Sequence, residues 1–128
     1  MAALATIRIE LENDMPPRTN PLKLNPLQLR TLTLLQVLAG LPQAAMAGPG
    51  DGEVTIHVFP NAHGDHFHLG DATVASRDAT GLFNEKVWHA LERKGVARAE
   101  WPRQIILTPA GLAYDTGLND EILHHHAH

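Results

Sequence analysis

The sequence predicts one α+β domain spanning residues 1–128, and three patterns predict it. Residues 6–12 alternate apolar and polar side chains. Leucines recur at helical spacing behind Asn25 and Pro26. A helical stretch over residues 82–94 meets Gly95 and hands the chain to two short extended arms.

In the first pattern, Ile7, Ile9 and Leu11 face one side while Arg8, Glu10 and Glu12 face the other, which is a strand with one wet face. Pro16 and Pro17 end it by removing backbone donors. In the second, Asn25 is a good N-cap and Pro26 occupies the first helical position, where its missing N–H costs nothing. Leu27, Leu34, Leu35, Leu38 and Leu41 then make an apolar stripe, stopped by Gly40 and Pro42. The segment from Leu32 to Leu41, with Ala45-Met46-Ala47 behind it, imitates a signal peptide's apolar core and cleavage site. It starts well inside the chain behind a strand, so a buried helix is expected, together with a cytoplasmic location and no membrane span.

Residues 47–52 read as a flexible connector or a loop tip. Residues 53–60 and 66–69 read as the two arms of an inserted β-hairpin, with turn residues at 61–65 and His57 opposite His68. That register puts Ile56, Val58, Phe67 and Leu69 on one face and His57, Phe59, His66 and His68 on the other. Residues 71–78 suit either a third strand or a short helix. Over 82–94, Leu82, Val87, Ala90 and Leu91 form the inner stripe, with Lys86, Arg93 and Lys94 outside. Gly95 is placed to end this helix in a left-handed conformation. The arms of 96–108 turn around Trp101 and Pro102, and a last short helix opens at Pro109. The domain thus divides into an N-terminal strand and linker (1–24), a core (25–116) and a flexible His-rich tail (117–128).

Composition narrows the function. Lys and Arg total 10 against 14 Asp and Glu, a net charge of -4 that lacks the global basic footprint of an electrostatically driven nucleic-acid binder. The count of 0 cysteines excludes disulfides, thiol catalysis and Cys-ligated metal sites.

Residues 87–98 (Val-Trp-His-Ala-Leu-Glu-Arg-Lys-Gly-Val-Ala-Arg), followed by Gln104-Ile105-Ile106-Leu107-Thr108-Pro109-Ala110-Gly111, resemble winged helix-turn-helix regulators of the multiple-antibiotic-resistance repressor type. Thr80-Gly81-Leu82 resembles the turn before their recognition helix, and the likeness covers residues 71–114. It implies a winged-helix-like domain, a DNA-binding or transcription-regulatory role, and a wing over 96–108. A helix presenting Asn84, Lys86, His89 and Arg93 would suit a major groove, with Arg98 and Arg103 on phosphates. Arg77-Asp78 departs from the family pattern, and Glu85, Glu92 and Glu100 would repel phosphate. A protein-interaction module is the alternative, using the same helix and Trp101 as an exposed anchor; a wing tip packed down on the fold is the equal reading of that tryptophan. Strand 6–12 has an edge that could pair with a second copy, so a homodimer is expected.

The remaining oddity is 9 histidines. His57, His66 and His68 with Asp65 as a fourth ligand make a candidate zinc or nickel site, because imidazoles two residues apart on a strand project the same way. An exposed polar strand face explains the same residues without a metal. The tail from His124 to His128 binds metal resin whatever the biology. The chain has no phosphate-cradling glycine motif and Ser76 as its lone serine, so a non-enzymatic protein without a cofactor is the expectation.

Overall fold

The computed structural model describes residues 20–61 and 64–125. The predicted strand at 6–12, and the dimer edge inferred from it, lie outside those residues. The described chain is α+β. It runs α1 (Pro26–Ala39), β1 (Ala45–Ala47), β2 (Val54–Ile56), β3 (His66–Leu69) and β4 (Ala72–Ala75). Two short 3-10 turns follow at Ser76–Asp78 and Thr80–Phe83. Then come α2 (Glu85–Arg93), β5 (Ala97–Glu100), β6 (Gln104–Leu107), α3 (Pro109–Ala113), α4 (Asn119–Ile122) and β7 (His124–His125). One antiparallel sheet has the order β1-β2-β6-β5 and the other β3-β4-β7.

Helix α1 begins as its residues dictate. Asn25 accepts from the Gln28 backbone N–H while the Gln28 side chain accepts from the Asn25 N–H, a complete capping box with Pro26 behind the cap. A single apolar stripe does not describe its middle, however. Thr31, Leu32, Thr33, Leu34, Leu35 and Leu38 are all buried, so the helix is enclosed on most sides. The two threonines are tolerated because each hydroxyl donates one turn back, Thr31 to the Leu27 carbonyl and Thr33 to the Leu29 carbonyl. Thr33 is also bonded to the buried Thr116 across the fold, at 2.6 Å.

Helix α2 starts later than the hydrophobic pattern suggests. Residues 80–83 form a 3-10 turn, and Asn84 caps the helix by accepting from the Lys86 N–H. Its far end follows expectation: Gly95 has φ +82°. The Gly95 N–H reaches the Glu92 carbonyl and the Val96 N–H reaches the Leu91 carbonyl, the paired bonds of a Schellman stop. The chain leaves directly into the β5–β6 ribbon, with Ala97 opposite Leu107 and Ala99 opposite Ile105.

Two expectations need correction, and one left open is resolved. Residues 53–60 and 66–69 are not arms of one hairpin. β2 pairs with β1 and β6, while β3 pairs with β4, so His68 lies opposite Thr73 and not His57. The exposed faces shift accordingly: Val58 is 47% exposed, and Phe59 packs against the core. Longer-range pairing with the apolar β6 (Gln-Ile-Ile-Leu) outcompetes the local turn. Residues 71–78 divide between β4 and a 3-10 turn. Residues 117–125 are no flexible tail, because Ile122 and Leu123 are buried and the backbone of 124–125 pairs with β4. The connector at 47–52 is the tip of the β1–β2 hairpin, closed by the Gly48 N–H on the Glu53 carbonyl. Among the described residues, no helix is long and apolar enough to cross a membrane.

Gly111 shows how closely α3 sits on the ribbon. A Cβ there would lie 2.0 Å from the Val96 carbonyl oxygen, whereas one on Gly40 would lie 3.5 Å from the Val37 oxygen. Gly111→Ala is expected to lower stability by roughly 1–3 kcal/mol or more through forced backbone movement. Gly40→Ala is expected to be neutral or to gain about 0.4–1 kcal/mol. Urea unfolding midpoints separate the two, and equal midpoints would contradict the close approach.

Candidate binding face

The ribbon is held against α2 by an aromatic stack. Trp88, 1% exposed, donates its indole N–H to the Leu82 carbonyl at 3.1 Å, which satisfies the one polar atom of a buried indole. Phe59 meets it at a centroid distance of 5.5 Å, and Trp101 meets it edge-on at 4.7 Å. Of the two readings of Trp101, the packed-down ribbon tip is the one observed. It is half-buried and folded down onto Trp88 from the ribbon tip, next to a cis bond to Pro102, rather than standing out as an anchor.

The outer face of α2 carries Glu85, Lys86, His89, Glu92 and Arg93, so four-fifths of these positions alternate in charge around one imidazole. His89 lies between two carboxylates, with Nε2 at 3.2 Å from Glu85 and Nδ1 at 3.4 Å from Glu92. Asn84 spends its side-chain oxygen on the helix cap. On the ribbon, Arg98 donates to Glu53 Oε1 at 2.8 Å, and Arg103 lies 3.6 Å from Glu100. The Glu53 side chain is only 11% exposed and also accepts from the Gly50 N–H, so Arg98 is tied to a fixed carboxylate. Lys86, Arg93 and Lys94 are exposed.

Sequence reasoning missed Glu53 as the partner of Arg98, because the pairing of β2 with β6 that brings it near has no local signal. It also missed Phe83. This side chain is 53% exposed just ahead of the α2 cap and stacks on the buried Phe67 at 5.9 Å. A cleft of about 390 Å³ lies between the start of α1 and the C-terminal segment, lined by Leu29, Arg30, Asp78, Leu118, Glu121 and Ile122 among others.

The four predicted metal ligands do not assemble. His57 follows β2 in the other sheet, its backbone N–H bonded to the Ala44 carbonyl. Asp65, His66 and His68 stay together on β3 and its approach. Among the described residues, no group of three or more His, Cys, Asp or Glu is placed to hold a metal ion.

The aromatic stack yields a test. Trp101→Ala removes an edge-to-face pair that is worth about 0.5–1.5 kcal/mol beyond its buried area. Arg103→Ala, whose side chain is 76% exposed, is expected to change stability by less than about 0.5 kcal/mol. Thermal unfolding with near-ultraviolet circular dichroism checks both, since only the first variant should lose the Trp88 signal.

Comparison of the chain with protein families, with curated proteins and with solved structures finds no match, to an enzyme or to any other protein.

Proposed function

We propose that the chain is a non-enzymatic, winged-helix-type domain that docks a protein partner through the outer face of α2. The topology supports the type: β2, β6 and β5 form a sheet in which the β5–β6 ribbon directly follows a Schellman-stopped helix. The observation that carries the choice of partner is charge. Both ribbon arginines already have carboxylate partners, Arg98 with Glu53 and Arg103 with Glu100, and His89 sits between Glu85 and Glu92. A phosphate backbone approaching this face would meet those carboxylates and would have to displace them. A protein surface of mixed charge can match the alternation, with Phe83 supplying apolar contact at its edge.

The full chain is titrated against fluorescent duplex DNA from 20 to about 300 mM salt, and no binding that falls steeply with salt is expected. Cross-linking through Lys86 or Lys94 in a native extract is expected to capture a protein in a nuclease-resistant way. The yield should drop about tenfold with Phe83→Asp, a loss of roughly 1.4 kcal/mol. Tight duplex binding with a steep salt slope, or capture indifferent to Phe83→Asp, overturns the proposal.

A further inference from the structure

The outer face of β3 carries a second chemical feature. Strand alternation sends Phe67 and Leu69 inward and leaves His66 half-buried and His68 exposed on the same outer side. Their Nε2 atoms face each other at 3.3 Å, with the rings nearly perpendicular at 79°. Two imidazole nitrogens bound to one tetrahedral zinc at its usual bond length sit roughly 3.3–3.4 Å apart. The pair is thus already spaced as a chelate. On the far side of His66, Nδ1 lies 3.3 Å from Asp65 Oδ1. A carboxylate there accepts a hydrogen bond from Nδ1–H and leaves the Nε2 lone pair to the ion, the outer-shell arrangement that orients metal-bound histidines.

We infer that His66 and His68 chelate a divalent ion of the zinc class through their Nε2 atoms, with Asp65 as a positioning residue and not a ligand. This differs from the sequence-based expectation in two residues: His57 is excluded by the pairing of β3 with β4, and Asp65 moves to the outer shell. Binding sets His68 in its Nδ1–H tautomer, so that both Nε2 lone pairs point at the metal.

The test uses the full-length chain with His124, His125, His126 and His128 changed to Gln, which keeps the backbone of β7 and removes the competing imidazoles. Calorimetric titration with zinc alone is expected to show one equivalent bound. Either His66→Gln or His68→Gln should abolish it, Asp65→Asn should weaken it about 10- to 100-fold, and His57→Gln should leave it unchanged. If a variant loses the native far-ultraviolet dichroism, imidazole nitrogen NMR of the parent chain replaces it, and zinc should move the His66 and His68 Nε2 signals together. No zinc binding by the parent, binding that survives both single substitutions, loss with His57→Gln, or Nε2 signals that do not move overturns the inference.

Discussion

The fold depends first on where one indole goes. Trp88 is nearly inaccessible, and a buried indole has to satisfy its N–H as well as fill its volume. The Leu82 carbonyl that meets it belongs to the 3-10 turn ahead of α2, so the hydrogen bond fixes how the chain enters its own helix. The same ring takes Phe59 from the segment after β2 and Trp101 from the ribbon tip. Three stretches far apart in sequence therefore converge on one side chain. With α2 anchored in this way, Glu85, Lys86, Glu92 and Arg93 are left on its exposed side.

Two glycines make that anchoring compatible with a short chain. Gly81 brings the 3-10 turn against α1, where a Cβ would lie 1.8 Å from the Thr31 hydroxyl, and Gly111 brings α3 onto the Val96 carbonyl. Neither needs positive φ, so their role is close approach rather than backbone freedom. Thr108 binds the same junction, since its hydroxyl donates to the Gly95 carbonyl and accepts from the Gly111 N–H. The Leu-Thr-Pro-Ala-Gly run behind the sequence resemblance thus has a mechanical explanation in this chain: a cap, a helix start and a contact glycine, in that order. Those are requirements of packing and leave the ligand unspecified.

The parts legible in the sequence are those decided by local physics. Asn25 with Pro26, Gly95 behind an amphipathic helix, and the ribbon over 97–107 each rest on interactions within a few residues, and each is present. The strand pairing of 53–69 was not legible, because Asn61 and Gly64 signal a local turn while the competing partner of β2, β6, lies about fifty residues downstream of it. The C-terminal segment was hidden for a similar reason. Its run of imidazoles dominates the composition, yet Ile122 and Leu123 decide its placement by burial. At the candidate face, residue types were readable but their partners were not. Arg98 looks like a free phosphate contact until the sheet brings Glu53 to it.

The two surfaces that emerge are joined by β3 through its alternation. Phe67 points inward and stacks on Phe83, the exposed ring beside α2, while His66 and His68 on either side of it point outward. A chelated ion would fix the two imidazoles on the outer face without requiring Phe67 to leave its stack, because successive side chains on a strand point to opposite faces. What it would restrain is the strand itself, whose register with β4 runs from His66–Ala75 to Leu69–Ala72. That register also holds β7, since β4 is the strand between them. An ion at His66 and His68 would therefore act on the sheet that carries the C-terminal segment and supports Phe83, and would leave the charge pattern of α2 as it is.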